Sequence, residues 1–341
     1  MAQGVTALEK TLIGVEASAG GSTDAPTTHW RGMGKIKDRR EIVRPPERVG
    51  KIGGTTRTYI PRTGGEVPLD GDATFEQLPY IFNSGIYLAT ATTDTGSGYI
   101  YSWTVQAASS DPLATTDLAT LVVESGDNNE AERARFCFTR EFTLTGGQGA
   151  GMTVAAVLES QAPSTATFTA VGDTDFDNPA ETILFSKVAL YIDDSTGTIG
   201  TTQVSETILD FSLKHTTGWV AKPARDGRLD FSGIKHIDDE IMLDVTFEHN
   251  TDAATAKANW RAETEKAIRI QWTGTSLSSA GAYSTKTFRV DLYGKWLTFG
   301  AEGLEEQDGD NVYKGTFFVG WSANADAKAS YLLVNEVATL P

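Results

Sequence analysis

In the second half of the chain, apolar and polar residues alternate along short segments at the period of two that a half-buried strand requires. Leu209, Phe211 and Leu213 alternate with Asp210, Ser212 and Lys214. Leu243, Val245 and Phe247 alternate with Asp244, Thr246 and Glu248, and Ile268, Ile270 and Trp272 with Arg269 and Gln271. Phe288, Val290 and Leu292 flank Arg289 and Asp291, while Tyr313, Phe317, Val319 and Trp321 are separated by glycine and polar residues. Strands with one apolar face predict antiparallel sheets folded as a sandwich or barrel. Residues 251–267 break the pattern. They are rich in Ala, Glu and Lys, with Thr251 or Asp252 placed as a cap, and predict a helix over about 252–267. Ala253, Ala256 and Trp260 recur at three- and four-residue steps, so Trp260 anchors a narrow face on the sheet.

The first half carries the same parts less clearly: a short helix over 74–82, then strands near 99–105 and 118–123. Phe136/Phe138 and Phe142/Leu144 lead through Gly146-Gly147-Gln148-Gly149-Ala150-Gly151 into an apolar run over 152–158, which predicts a hairpin across a glycine-rich turn. The second half closes likewise, with a strand over 288–299, a polar loop over 300–311 and a strand over 312–321. This order of parts predicts an internal duplication. The expected organisation is therefore mainly β, with two tandem antiparallel sandwich or barrel domains over 1–165 and 166–341, each with one α-helix. The boundary falls in the small, polar, turn-forming stretch 161–180. Residues 32–69, punctuated by Pro45-Pro46, Gly53-Gly54 and Gly64-Gly65, predict an extended arm.

A length of 341 residues suits two domains, and 40% apolar with 22% charged residues is ordinary globular usage. No apolar stretch is long enough for a membrane helix, and the first residues lack the pattern of a signal peptide, so synthesis in the cytoplasm is expected. Cys137 has no partner for an internal disulfide. A net charge of −16 argues against a protein that grips nucleic acid. Cations are nonetheless concentrated in one segment: Arg31, Lys35, Lys37, Arg39, Arg40, Arg44, Arg48, Lys51, Arg57 and Arg62 face only Asp38, Glu41 and Glu47 between residues 31 and 62. An arm that docks on the acidic surface of a neighbouring copy explains this better than a solvated loop or a DNA contact.

Candidate chemistry is sparse. His215, His236 and His249 fall in or beside strands, and His236-Ile237-Asp238-Asp239-Glu240 is the nearest approach to a metal or acid–base cluster, without the ligand spacing of a metal site. Asp193-Asp194 opens a turn-like run. The glycine-rich loop lacks the Lys-Ser/Thr ending of a phosphate-binding loop. A pair of glycosidase carboxylates cannot be read from spacing in a β-rich chain. The expectation is a non-enzymatic protein without cofactor or metal.

The opening Thr11-Leu12-Ile13-Gly14-Val15-Glu16-Ala17-Ser18-Ala19-Gly20-Gly21 resembles the start of siphophage major tail proteins, an apolar strand followed by Glu and a small-residue turn. The basic extended segment follows, then Gly71-Asp72-Ala73-Thr74-Phe75-Glu76-Gln77-Leu78-Pro79-Tyr80-Ile81-Phe82, similar to the family's short helix after its long loop. The hairpin over 136–158 resembles the family's paired strands. The resemblance implies a virion protein made in the host cytoplasm, with sheets that join those of neighbours in an inner barrel and a long loop reaching the next subunit or ring. Duplication implies rings of three chains acting as pseudo-hexamers, stacked into a tail tube, with tape-measure and tail terminator proteins as further partners. No C-terminal immunoglobulin-like domain is evident.

The expected mechanism is physical. DNA passes without specific binding through a lumen whose acidic lining repels phosphate, with Asp244, Thr246, Glu248, Arg289 and Asp291 as candidate lumen residues. The competing class is a carbohydrate-binding or adhesive β-sandwich module using Trp30, Trp103 and Trp219 against sugar rings. A β-rich hydrolase is a third class.

Overall fold

Strand pairing divides the chain into two repeats with the same wiring. The computed structural model describes residues 5–50, 52, 57–105, 118–172, 180–205, 207–223 and 227–340. The first repeat runs β1 (Lys10–Val15), β2 (Thr28–Trp30), β3 (Met33–Gly34), β4 (Lys37–Asp38), β5 (Glu41–Val43), β6 (Tyr59–Arg62), β7 (Gly65–Asp72), α1 (Leu78–Gly85), β8 (Thr92–Thr93), β9 (Tyr99–Val105), β10 (Leu121–Gly126), β11 (Ala131–Gly147), β12 (Thr153–Ser160) and β13 (Ser164–Ala166). The second runs β14 (Val188–Asp194), β15 (Gln203–Val204), β16 (Ile208–Thr216), β17 (Trp219–Pro223), β18 (Phe231–His236), β19 (Glu240–Glu248), α2 (Thr251–Arg261), β20 (Lys266–Ser276), β21 (Thr285–Phe299), β22 (Glu305–Gln307), β23 (Asp310–Val319) and β24 (Ala329–Asn335). All the strand pairs among the described residues are antiparallel, and the chain is mainly β as its alternation predicts.

The long strands β11 and β21 define the correspondence. Near its start β11 pairs with β10 and β13, and towards its end with β12. Likewise β21 pairs with β20 and β24 near its start and with β23 towards its end. In each repeat the first strand, β1 or β14, pairs with β10 or β20 on one side and with the short β2 or β15 on the other. Both long strands carry a one-residue bulge against the closing strand, at Arg140 in β11 and at Leu297 in β21. Gly294 is the crossing point of β21, paired with both Lys266 and Val319, and a Cβ built there would collide with the Phe318 carbonyl oxygen. Each long strand thereby belongs to two layers that face each other across the core, with Phe211 of β16 against Trp272 of β20 (5.4 Å) and His215 of β16 stacked on Tyr331 of β24 (5.9 Å).

One apolar cluster runs through both repeats, so the stretch 161–180 does not divide the core; residues 173–179 lie outside the described residues. The reason is visible at α1, whose eight residues are all buried. Phe82 meets Phe142 of its own repeat at 5.3 Å and Tyr331 of the other at 5.2 Å. Burying such a ring stabilises by roughly 1.5–3 kcal/mol. The first repeat also lends β9 to the second, where it pairs with β24 from Tyr99↔Asn335 to Val105↔Ala329.

Several expected boundaries shift. The helix expected over 74–82 is α1, about one turn later, with Pro79 in its first turn. The helix expected over 252–267 ends at Arg261, because Lys266 already pairs in β20. Its cap is Asn250, whose Oδ1 accepts from Asp252 N and Ala253 N at 3.0 Å, rather than Thr251 or Asp252. Trp260 is half-buried and donates its indole N–H to Leu297 O at 2.9 Å. Trp321 lies beyond the end of β23, exposed.

Candidate assembly interface

The two repeats are joined edge to edge by β11 and β16, in register from Glu141↔Thr216 to Gly147↔Asp210. Thr217 ends the joint, donating N–H to Arg140 O (2.9 Å) and its hydroxyl to Thr139 O (2.7 Å). The joint makes one continuous run of strands, with β3 and β4 serving as a single interrupted strand: β3/β4, β7, β12, β11, β16, β19, β23, β21.

The duplication aligns the ends of this run with its middle. Through β7 and β19, residues 33–40 align without a gap with residues 210–217. Lys37, opposite Glu66, corresponds to Lys214, opposite Met242. Gly34, opposite Leu69, corresponds to Phe211, opposite Val245. The bulges align Leu297 with Arg140 and Phe299 with Phe142. The edge of β21 from Leu297 onward thus corresponds to the edge of β11 that β16 occupies. Among the described residues, neither that edge nor the outer edge of β3/β4 has a strand partner.

Hydrogen-bond parity fits as well. Lys35 N and Arg39 N point to β7, donating to Pro68 O and Gly64 O, so Ile36 and Asp38 point their amides to the free edge. Gly300 N donates to Lys314 O of β23, which turns the Phe299 amide outward. In the lone chain the Trp260 indole occupies Leu297 O, whose counterpart Arg140 O receives Thr217 N.

Charge follows the same division. Arg31, Lys35, Lys37, Arg39, Arg40, Arg44, Arg48, Arg57 and Arg62 are all exposed, and Lys51 lies outside the described residues, as do Gly53 and Gly54. Lys37 and Arg39 both pair with Glu66, Arg40 with Asp38, Arg57 with Glu47 and Arg62 with Glu159, exposed pairs of small energetic weight. The segment after β21, which includes β22, carries Glu302, Glu305, Glu306 and Asp308, with Glu305 paired to Lys314. The outward face of the strand run bears Glu66, Asp70, Glu141, Asp210, Asp244 and Glu248 together with Lys35, Lys37, Arg39, Lys214 and Lys314, of which Lys37 and Arg39 pair with Glu66.

The five candidate lumen residues do not share one face. Asp244, Thr246 and Glu248 share the outward face of β19, where Asp244 and Glu248 are exposed and Thr246 is only 4% exposed. Arg289 and Asp291 lie on the part of β21 before Gly294, in the other layer. There Asp291 is buried and receives Arg269 Nε and Nη2 at 2.7 and 2.9 Å. The Asp291 pairing outweighs burial and raises the Arg269 pKa. Alternation gives the face of a strand, not the layer to which each end of a crossing strand belongs.

Trp30, Trp103 and Trp219, named for sugar stacking, are all buried, and Trp103 donates to Asn83 Oδ1 at 2.9 Å. Glu16, in the turn after β1, accepts from Phe136 N (2.9 Å), Gly20 N (2.8 Å) and Thr120 Oγ1 (2.7 Å); burial pushes its carboxyl pKa up. Burial likewise raises the Cys137 thiol. No group of three or more His, Cys, Asp or Glu among the described residues could hold a metal ion, and no described helix is long and apolar enough to cross a membrane.

One polar network has no counterpart in the sequence pattern. Buried His215 shares a hydrogen bond between Nδ1 and Tyr331 OH (3.2 Å), with Asp239 Oδ2 at 3.9 Å from Nε2. Lys328 Nζ donates to Asp239 Oδ1 at 2.8 Å. Burial lowers the His215 pKa to about 4. The network ties β16 to β24 and gives the histidine a structural role. No protein-family model and no curated protein matches the chain.

Proposed function

We propose that the chain is a structural, non-catalytic subunit that closes into rings by strand pairing between copies, the rings stacking as the tail tube of a virion. The observation that carries the reading is the internal joint. β11 and β16 join two repeats edge to edge, and among the described residues the same two kinds of edge lack a strand partner at the ends of the run. A free strand edge is a pairing template, and a head-to-tail contact between identical chains generates rings when the rotation closes. With two repeats per chain, three copies give the pseudo-hexameric ring that the resemblance to siphophage tail proteins implies. The exposed carboxylates of the outward face, Asp244 and Glu248 among them, would then line a conduit that repels the phosphates of passing DNA. Buried Trp30, Trp103 and Trp219 leave the adhesive reading without the aromatic platform on which it rested.

Negative-stain electron microscopy across a concentration series tests this, with Asp38→Pro alongside. The substitution removes an amide that faces the free edge and leaves the β7-facing amides of Lys35 and Arg39 in place. Rings or hollow tubes from the natural chain, lost in Asp38→Pro, are expected. Monomers at every concentration would overturn the reading.

A further inference from the structure

The hairpins that follow the two corresponding strands meet different fates. In the second repeat, β17 and β18 fold back over the joint onto the first repeat. Trp219, Phe231 and Ile234 pack there against Leu118, Phe136 and Phe138 in a satellite core of their own. Phe231 lies edge-on to Phe136 at 5.0 Å and to Phe138 at 5.8 Å. In the first repeat, β5 and β6 are the counterpart hairpin, and the gap-free alignment places Ile42 where Trp219 stands. Yet Ile42 is 63% exposed.

Phe136 and Phe138, on which Trp219 packs, correspond to Tyr293 and Lys295, and an apolar patch of the second repeat lies just beyond them. Arg140 and Glu159, which line a recess beside Val220, Ala221 and Phe231, correspond to Leu297 and Phe318 in the second repeat. Both are apolar and exposed, at 50% and 40%, on the outward side of β21 and β23. An exposed apolar hairpin and an exposed apolar patch beside the counterpart of the Trp219 seat, on opposite ends of one strand run, complement each other only between two copies.

We propose that the β5–β6 hairpin of each copy lies across the joint onto the second repeat of its neighbour in the same ring, seating Ile42 on Leu297 and Phe318. This rests on the ring reading and gives the basic arm a sideways partner within the ring rather than one in the ring above. The acidic loop after β21, with Glu302 and Glu305, would face Lys35 and Lys37 beside the same joint.

The test places benzoylphenylalanine at position 42 of the full chain and irradiates the assembled protein, with cross-linked peptides read by mass spectrometry. Capture between copies on peptides containing Leu297 or Phe318, in isolated single rings as well as in tubes, is expected. Rings that cross-link elsewhere, or only when stacked, overturn the seating and leave the ring reading standing. A chain that forms no oligomer overturns both. Phe318→Ser provides a second measure: the concentration for half-assembly should rise by about tenfold, the equivalent of 1.4 kcal/mol, with the melting temperature of the monomer unchanged. An unchanged assembly concentration would count against the seat.

Discussion

Ile42 and Trp219 hold the same position in the two repeats, yet Trp219 is 1% exposed and buried against Phe136 and Phe138 while Ile42 projects into solvent. Duplication alone cannot explain that difference. The second repeat has the first beside its β16 edge, whereas the β3/β4 edge of the first repeat has no strand partner among the described residues. In the proposed ring, the unburied positions of one repeat mark the contacts that a second copy would supply.

Truncating the two residues should separate folding from assembly. Trp219→Ala is expected to destabilise the monomer by about 3–5 kcal/mol, the cost of emptying a large aromatic site. Ile42→Ala should stay within about 0.5 kcal/mol, as exposed substitutions do. Urea denaturation of dilute monomer measures both, and a large loss from Ile42→Ala would show that the hairpin is already packed.

The joint should make the chain unfold as one unit. Gly146, opposite Phe211, has no room for a side chain, since a Cβ there would lie 2.6 Å from the Phe211 ring and 3.0 Å from that of Phe185. Gly146→Val is expected to cost about 1–3 kcal/mol by overpacking and to lower a single calorimetric transition. Two separate transitions, only one of them shifted, would show that the repeats fold independently.

Acid should weaken the fold early. The folded chain keeps His215 neutral down to about pH 4, whereas an unfolded histidine takes up its proton near 6.5. Between those values the unfolded state binds more protons, so stability is lost as pH falls from about 6.5 towards 4. A second loss follows lower down, because hydrogen bonds from Ser278 and Ser97 hold the Glu336 carboxyl at about 2, below its ordinary 4.5. Denaturant midpoints between pH 7 and 3.5 check this, and His215→Gln should flatten the upper step.

The Arg269–Asp291 pair should matter for stability rather than for any conduit. Asp291→Ala leaves a half-buried guanidinium without its bidentate partner, at an expected cost of about 3–5 kcal/mol. Asp244→Asn, on the exposed face, should be within about 0.5 kcal/mol. Thermal melts of the two variants decide between these placements.

Much of the fold was legible because alternation reports a buried face directly: Phe211, Leu213, Val245, Ile270 and Val290 all point into the core. The glycine-rich turn between β11 and β12 was equally plain, with Gly149 at φ 78°. The pairing of repeats was not, because residues 33–40 and 210–217 share the lysines at 37 and 214 and little else. Nor does the pattern tell that β9 crosses to β24, or that a tryptophan such as Trp103 is core and not surface. Those facts depend on partners far away in the chain, which periodicity does not encode. The free edges follow only once every other strand has been assigned a neighbour.

Hydrogen exchange of monomer against assembled protein tests the central claim most directly, with attention to the amides of Asp38 and Phe299. The account predicts that the segments 34–40 and 296–300 become protected together on assembly, while Glu141–Gly147 and β16 are protected in both states. Assemblies in which both edges exchange as fast as in the monomer would contradict it.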